Sequence, residues 1–458
     1  MKDIKVKDII DICKGKLICG DEEIVCQNFS KDTRTVVNGD VYVGIKGENF
    51  DGNTLYKEAL EKGASVAIIE KIEPEKIEGK TIIVVENTIK ALQEIASYKR
   101  SLYNIPVIAV TGSVGKTSTK DIIASVMSTR YKVLKTQGNL NNHIGLPMTI
   151  LGLKDHTAIV VEMGMNNFGE ISTLTNIAKP TCCVITNIGT SHIGILGSRE
   201  NILKAKLEIL EGLMKNGNII INNDNDLLNK WYEENKDNYN ITTCGIHTNS
   251  DILATDVKVL ENGSEFKIKL EAKEHKIKVP VAGEHFVINS LCAIAVGMAN
   301  NIKMEDVICG IEGFELTKRR MEISKNSKGT IIINDTYNAS YDSMKAAIKC
   351  LANMNGNKKI ALLGDMFELG EYEEELHRKV GEEVAKNSVD ILVTVGNAAK
   401  FIADEASKLN MKKENIIECN SREEAVELVN KIAEKDDIIL VKASNGMKFD
   451  KIIEKIIN

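Results

Sequence analysis

The sequence predicts an α/β protein of three domains, and three observations carry that expectation. The chain has 458 residues, about three times the roughly 150 of a typical domain. Short apolar runs of strand length alternate with segments of helical spacing along nearly all of it, the pattern of parallel sheets covered by helices. A glycine-rich loop joins one such run to such a helix, the context in which backbone amides bind phosphate. Composition agrees: 43% hydrophobic and 27% charged residues exclude disorder and collagen-like repetition.

Partners and compartment are bounded by the same arithmetic. Basic and acidic residues number 59 and 65, and the longest basic cluster is Lys318-Arg319-Arg320, so no nucleic-acid footprint is visible. No apolar run approaches the roughly 18 to 20 residues that span a bilayer. The start, MKDIKVKDIIDICKGK, lacks the apolar core of a signal peptide. Ten cysteines form no C-x-x-C pair, which favours reduced thiols over a zinc cage; the adjacent Cys182 and Cys183 read as buried strand residues. A cytoplasmic protein without membrane insertion is expected.

Residues 1–104 read as a small mixed α/β domain. A helix over Val6–Ile12 is followed by strands at Asp40–Ile45, Ser65–Ile69 and Thr81–Val85, and a helix from Leu92 to Leu102 leads out. Residues 105–317 read as a central parallel-sheet domain. Its strands are Val107–Val110, Thr157–Glu162, Thr181–Thr186 and Asn218–Asn222, with helices at Lys120–Met127, Asn201–Met214 and Asn289–Ala299. Period-2 alternation over Ile252–Val279, with a turn at Asn262-Gly263, predicts a hairpin. Residues 318–458 restart the pattern, with strands at Ile331–Asn334, Ile360–Leu363, Ile391–Val395 and Ile438–Val441. Helices near 342–353, 372–386, 398–409 and 421–434 separate them, the doubly wound, Rossmann-like arrangement.

The most informative segment is Thr111-Gly112-Ser113-Val114-Gly115-Lys116-Thr117-Ser118. It follows a buried strand and opens a helix, so amide groups and a helix N-terminus converge on an anion. Lys116 would reach the β- and γ-phosphates, and the Thr117 hydroxyl would ligate Mg²⁺. Val110 stands where the strict motif has its first glycine, leaving a shorter G-x-x-G-K-T loop. The central domain is thus P-loop NTPase-like and binds a nucleoside triphosphate. Glu162 ends an apolar strand, where ligands gather in open α/β sheets, and so suits Mg²⁺. Alone it reads equally as an exposed strand-end carboxylate. His192, just past another strand, and Lys206, on a helix, read alone as structural and solvated residues; they gain weight only beside the phosphate loop.

These motifs together resemble the Mur ligases, ATP-dependent amide-forming enzymes of peptidoglycan precursor synthesis. The resemblance covers nearly the whole chain. It rests on Ser30-Lys31-Asp32-Thr33-Arg34 with Asp51-Gly52, on the loop 111–118, and on Gly138-Asn139-Leu140-Asn141-Asn142 with Gly145 and Pro147. Glu162-Met163-Gly164, the stretch Asn187 to Glu200 and Ala205-Lys206 continue it. Asp335-Thr336-Tyr337-Asn338-Ala339 and Gly364-Asp365-Met366-Phe367-Glu368-Leu369-Gly370 with His377 complete it. The 364–370 block resembles that of the members acting on UDP-N-acetylmuramoyl-tripeptide and D-alanyl-D-alanine.

By resemblance, Gly112 to Ser118 cradle ATP, with Asn289 at adenine and Arg320 and Asp335 closing from the third domain. Thr117 and Glu162 would hold one Mg²⁺, and His192 and a carbamylated Lys206 a second. Lys116, Glu162, His192 and Lys206 are the expected catalytic group. Thr33 and Arg34 would bind the uridine nucleotide, while Asn139 and Asn142 face substrate. The resemblance implies a UDP-substrate domain at 1–104, an ATP domain at 105–317 and an amine-binding domain at 318–458. A monomer is expected, and because an acyl phosphate hydrolyses in water the last domain is expected to swing closed about residues 316–320. Several positions depart from the family pattern: Tyr341 stands for a usual proline, Asn53 for a frequent histidine, and Lys442-Ala443-Ser444-Asn445 for Lys-Gly-Ser-Arg. The last lies where the incoming amine is expected. A superfamily ligase for another amino acid, or a catalytically weak nucleotide-binding regulator, are the alternative readings.

Overall fold

The computed structural model describes residues 3–70, 73–260, 262–270 and 273–457. The chain forms two compact units. The first takes in the chain up to Val110 with Tyr131–Cys183 and Leu207–Gly217; the second holds Thr111–Arg130, Val184–Lys206 and everything from Asn218 onward.

In the first unit a five-stranded sheet runs Lys16–Cys19, Thr81–Val85, Val66–Glu70, Val41–Val43, Phe29–Ser30. All its pairs are parallel except the first. Val66–Glu70 is buried along its whole length, which is why it reads as an unbroken apolar run. The expected helix at 6–12 is present as Val6–Cys13, and that at 92–102 begins a turn earlier, as Thr88–Ser101. Its start is set by Asn87, whose side chain accepts the Lys90 N–H and supplies a partner that the first turn lacks internally. A separate parallel group pairs Val107–Thr111 with Ala158–Glu162, and that strand with Val133–Lys135.

The second unit begins with helix Lys116–Ser128, which packs against helices Glu284–Ala299 and Met304–Glu312. Strands Asn218–Asn222, Asn240–Gly245 and Ile252–Leu260 are parallel neighbours. The expected hairpin at 252–279 is three antiparallel strands, Ile252–Leu260, Gly263–Leu270 and Lys273–Val279; Glu261, Glu271 and Ala272 lie outside the described residues. The expected helix 201–214 is also corrected. It is α-helical over Arg199–Leu207 and tightens to a 3₁₀ turn at Glu208–Gly212.

The carboxy-terminal sheet orders its strands Glu322–Lys325, Ile331–Asn334, Ile438–Lys442, Lys359–Gly364, Ile391–Val395, Ile416–Cys419. Every pair is parallel except that of the first edge strand. A core of Ile332, Leu362, Val393, Val441 and Phe449 lies on the sheet; burying one such side chain is worth about 1.5–3 kcal/mol. The carboxyl ends of its central strands deliver Asp335, Asp365 and Lys442 to one edge, where open α/β sheets hold ligands.

Candidate active site

The phosphate loop is shaped by its glycines and held by its neighbours. Gly112 has φ 149° and Gly115 φ 85°, and a Cβ on Gly112 would meet Thr186 Oγ1 at 1.9 Å. Thr186 Oγ1 donates to Val114 O at 2.6 Å. Asn187 does more: its Oδ1 accepts the Val114 N–H at 2.8 Å and its carbonyl accepts the Ser113 N–H at 3.0 Å. The amides of Ser113 and Val114 are therefore engaged inside the protein. The anion-facing part of the loop is the first turn of helix Lys116–Ser128, whose amides have no acceptor within the helix. Lys116 Nζ folds back over the loop, donating to Gly112 O at 2.7 Å and Ser113 O at 3.3 Å.

Two of the sequence-predicted residues, Asn289 and Arg320, converge on this loop, and a third, Asp335, holds the segment that carries Arg320. Asn289 is 4% exposed, and its carboxamide stands 3.1 Å from where a Gly115 Cβ would lie. Its Nδ2 is buried without a hydrogen-bond partner. Arg320 stacks its guanidinium 3.9 Å over the Tyr337 ring and donates from Nη2 to Thr117 Oγ1 at 2.9 Å; its Nε is likewise buried and unpartnered. Orphaned buried donors of this kind mark where a ligand acceptor fits. Arg319 and Met321 on either side have φ 65° and 49°, a left-handed backbone costing about 1–2 kcal/mol per residue. Asp335 holds this strained segment, accepting the Met321 N–H and pairing through its other oxygen with buried Lys442. Asp121 anchors the approach, accepting from Thr317 Oγ1 at 2.7 Å while pairing with Lys120 at 2.8 Å.

The segment after Asn187 faces two ways. Toward the loop, Gly189 N donates to Ser113 Oγ at 2.9 Å and Ser191 Oγ to Ser113 O at 3.3 Å. Away from it, Thr190 donates through N and Oγ1 to Asp342 Oδ2 at 2.8 and 3.0 Å. His192 has φ 65°, and its Nδ1 lies 2.6 Å from Glu368 Oε2. The two groups are in close contact without an aligned hydrogen bond. That contact holds the Glu368 carboxyl below its usual range. A cavity of about 220 Å³ opens here, lined by His192, Tyr337, Asn338, Glu368, Ser444 and Asn445 among others. Lys206 is 1% exposed, and burial with Lys116 nearby drives its pKa well down. Both causes disfavour the charged form of the amine.

The remaining predicted residues lie in the first unit. Glu162 is 2% exposed; its Oε1 accepts from Asn141 Nδ2 at 2.8 Å and its N–H donates to Thr136 Oγ1. Asn142 is occupied structurally, its Oδ1 accepting the N–H groups of Ile144 and Gly145, while Asn139 is exposed. Arg34 is exposed and paired with Asp32 at 2.6 Å; Thr33 is buried. Sequence reasoning gave no individual role to Asn187, Asn141, Asp342 or Glu368. Only the placement of Asn187 just past a buried strand hinted at one.

Mg²⁺ prefers hard oxygen donors and keeps phosphate and water ligands. Among the described residues no group of three or more His, Cys, Asp or Glu is gathered around a metal position, so a metal here would lean on such outside oxygens. Glu162 offers a buried carboxylate of the kind that cation takes.

Parallel-rich α/β sheets with a phosphate loop met by Arg320 from far along the chain define a nucleotide-dependent enzyme. The chain belongs to the Mur ligase family. Models of that family match residues 110–297 (Mur ligase middle domain), 319–445 (Mur ligase, glutamate ligase domain) and 27–100 (Mur ligase family, catalytic domain). A UDP-N-acetylmuramoyl-tripeptide–D-alanyl-D-alanine ligase of Bacillus subtilis is 40% identical over 455 residues, covering 99% of this chain and 98% of that one. The crystal structure of MurF from Acinetobacter baumannii superposes with TM-score 0.90 at 29% identity, covering 100% and 99% of the two chains. MurF ligase of Thermotoga maritima in complex with ADP gives 0.82 at 27%, covering 94% and 97%.

Proposed function

We propose that the protein joins D-alanyl-D-alanine to a UDP-N-acetylmuramoyl-tripeptide, consuming ATP and releasing ADP and phosphate. The carrying observation is full-length similarity to ligases of that name, on a chain whose phosphate loop, Lys116 and Arg320 are assembled together. A carboxylate is a poor electrophile. Transfer of the γ-phosphoryl group to the tripeptide carboxylate gives an acyl phosphate; the dipeptide amine attacks it, and the tetrahedral intermediate collapses with loss of phosphate. The two reacting anions repel each other, so the site must supply positive charge where it develops.

In this reading Gly115, Lys116, Thr117 and Ser118 bind the phosphates through the helix N-terminus, and the Lys116 ammonium turns from the loop carbonyls to the β- and γ-oxygens. Arg320 follows the γ-phosphoryl group, its aim fixed by Asp335. Asn289 offers its free Nδ2 on the nucleotide side. Thr33, Arg34 and Asn139 serve the UDP-linked substrate. Thr117, Glu162, His192 and Lys206 would hold a pair of Mg²⁺ ions, which supply charge neutralisation for phosphoryl transfer. Lys206 joins them as a carbamate: its neutral amine adds to CO₂, a C–N bond forms and a proton leaves. We assign 1–104, 105–317 and 318–458 to UDP substrate, ATP and amine, with the last moving about 316–320. The enzyme works as a monomer in the cytoplasm, where ATP is supplied.

The test is inorganic phosphate release with Mg-ATP and UDP-N-acetylmuramoyl-tripeptide, with and without D-alanyl-D-alanine. Release that needs both, with a product heavier by one dipeptide less water, is expected. Release that prefers a single amino acid would move the chain to another ligase of the superfamily. No release in any combination would leave the regulatory reading.

A further inference from the structure

We infer that Glu368 is a positioning residue for His192, so that the His192 ring is ready to ligate only while the 364–370 turn is seated against the 187–197 segment. This rests on the proposal that His192 is a metal ligand.

The turn that carries Glu368 is fixed from behind. Asp365 accepts the Ala399 N–H at 2.7 Å and the Asn397 N–H at 3.2 Å. Buried His377 accepts the Met366 N–H at 2.9 Å, and Ser444 Oγ accepts that of Phe367 at 2.9 Å. Glu368, at φ 63°, is exposed next to Phe367 in this turn. It meets the 187–197 segment through more than its carboxylate. Gly194 N donates to Glu368 O at 3.2 Å, and Tyr372 Oη donates to Gly197 O at 2.7 Å. The fit leaves no room for a side chain: a Cβ on Gly194 would lie 2.5 Å from Gly370 N and Leu369 C.

The consequence for His192 is chemical. A carboxylate at Nδ1 favours the tautomer with its proton there, which leaves the Nε2 lone pair for a ligand and fixes the ring's orientation. Nδ1 is buried and Glu368 Oε2 is 2.6 Å from it, whereas the Glu368 side chain is half exposed, so the carboxylate is available to this ring rather than committed to the core. The same segment is bonded to the phosphate loop through Gly189 and Ser191. Seating of the turn is thereby transmitted to the ring and to the loop together.

The experiment titrates Mn²⁺ into the full-length protein with saturating ADP, followed by electron paramagnetic resonance, for wild type, His192→Ala, Glu368→Ala, Glu368→Gln and Gly194→Ala. Outer partners of metal-bound histidines typically contribute about 10- to 100-fold in metal affinity. Glu368→Ala should therefore weaken the lower-affinity Mn²⁺ by about tenfold or more, with ADP affinity measured without metal unchanged. Glu368→Gln, which keeps the shape of the contact but not its negative charge, should fall between wild type and Glu368→Ala. Gly194→Ala, which displaces the turn but keeps the carboxylate, should mimic Glu368→Ala. Loss of Mn²⁺ affinity in His192→Ala but not in Glu368→Ala or Gly194→Ala overturns the positioning role. Unchanged affinity in His192→Ala overturns instead the metal-ligand reading on which it rests.

Discussion

Replacing His377 by phenylalanine should loosen the 364–370 turn by a calculable amount. The ring is fully buried; Nε2 accepts the Met366 N–H at 2.9 Å, and Nδ1 lies 2.7 Å from Glu373 O. Because Nε2 accepts, the ring is neutral and Nδ1 carries the proton donated to that carbonyl. Phenylalanine keeps the packed ring but removes both partners. Met366 is itself 0% exposed, so its amide is left unpaired at about 1–3 kcal/mol, and the second bond adds about 0.5–1.5 kcal/mol. A local loss of about 2–4 kcal/mol corresponds to roughly 30- to 700-fold in an opening equilibrium. Hydrogen exchange of the peptide spanning 364–370 reads this directly, with exchange of the Val107–Thr111 strand as internal reference. Exchange of the turn unchanged in a folded His377→Phe protein would refute the reasoning.

Acid supplies an independent arm of the same test. Burial holds the His377 pKa below its usual value, which is about 6.5. As pH falls through that value the unfolded chain takes up a proton that the folded ring resists, so stability declines on acidification. His377→Phe should flatten that part of the decline. His285, pushed down to about 4 chiefly by desolvation, should leave a remaining slope of the same sign between about pH 6.5 and its folded value.

Arg320→Ala should lower substrate-dependent phosphate release by about 10²-fold or more, the scale for losing one charge-stabilising donor, with thermal stability nearly unchanged. Asp121→Ala breaks a pair whose side chains are both 2% exposed and releases Thr317; a loss of about 3–5 kcal/mol should appear as an earlier urea midpoint. If Lys206 acts as a carbamate, activity in CO₂-depleted buffer should fall and return with bicarbonate. Lys206→Ala should lose activity and ignore bicarbonate.

How far each feature was legible followed from its burial. Strands enclosed on both faces, such as Thr81–Val85, Asn218–Asn222 and Ile391–Val395, were predicted to the residue, because a two-sided core demands a continuous apolar run. Glu322–Lys325 alternates between partly buried and exposed positions, and Ile416–Cys419 is mostly half exposed. Both are sheet edges that carry too little apolar signal to be seen. The helix containing Asn289 begins at Glu284, more than a turn before its predicted start.

The site divides along the same physical line. Gly112, Gly115 and Lys116 are legible because a phosphate loop is local: its strand, turn and helix are contiguous, and its φ requirements are met by the residues themselves. The family likewise follows from short contiguous blocks. Asn187 on the loop amides, Asn141 on Glu162, Asp342 on Thr190 and Glu368 on His192 are single polar residues brought in from distant parts of the chain. Their partners are 73, 21, 152 and 176 positions away. No local pattern announces such a contact, since a lone Asn or Glu has the same local sequence whether it meets solvent or a buried group. Packing of the folded chain selects between those fates, because a buried donor or carboxylate is stable only where another element delivers its partner.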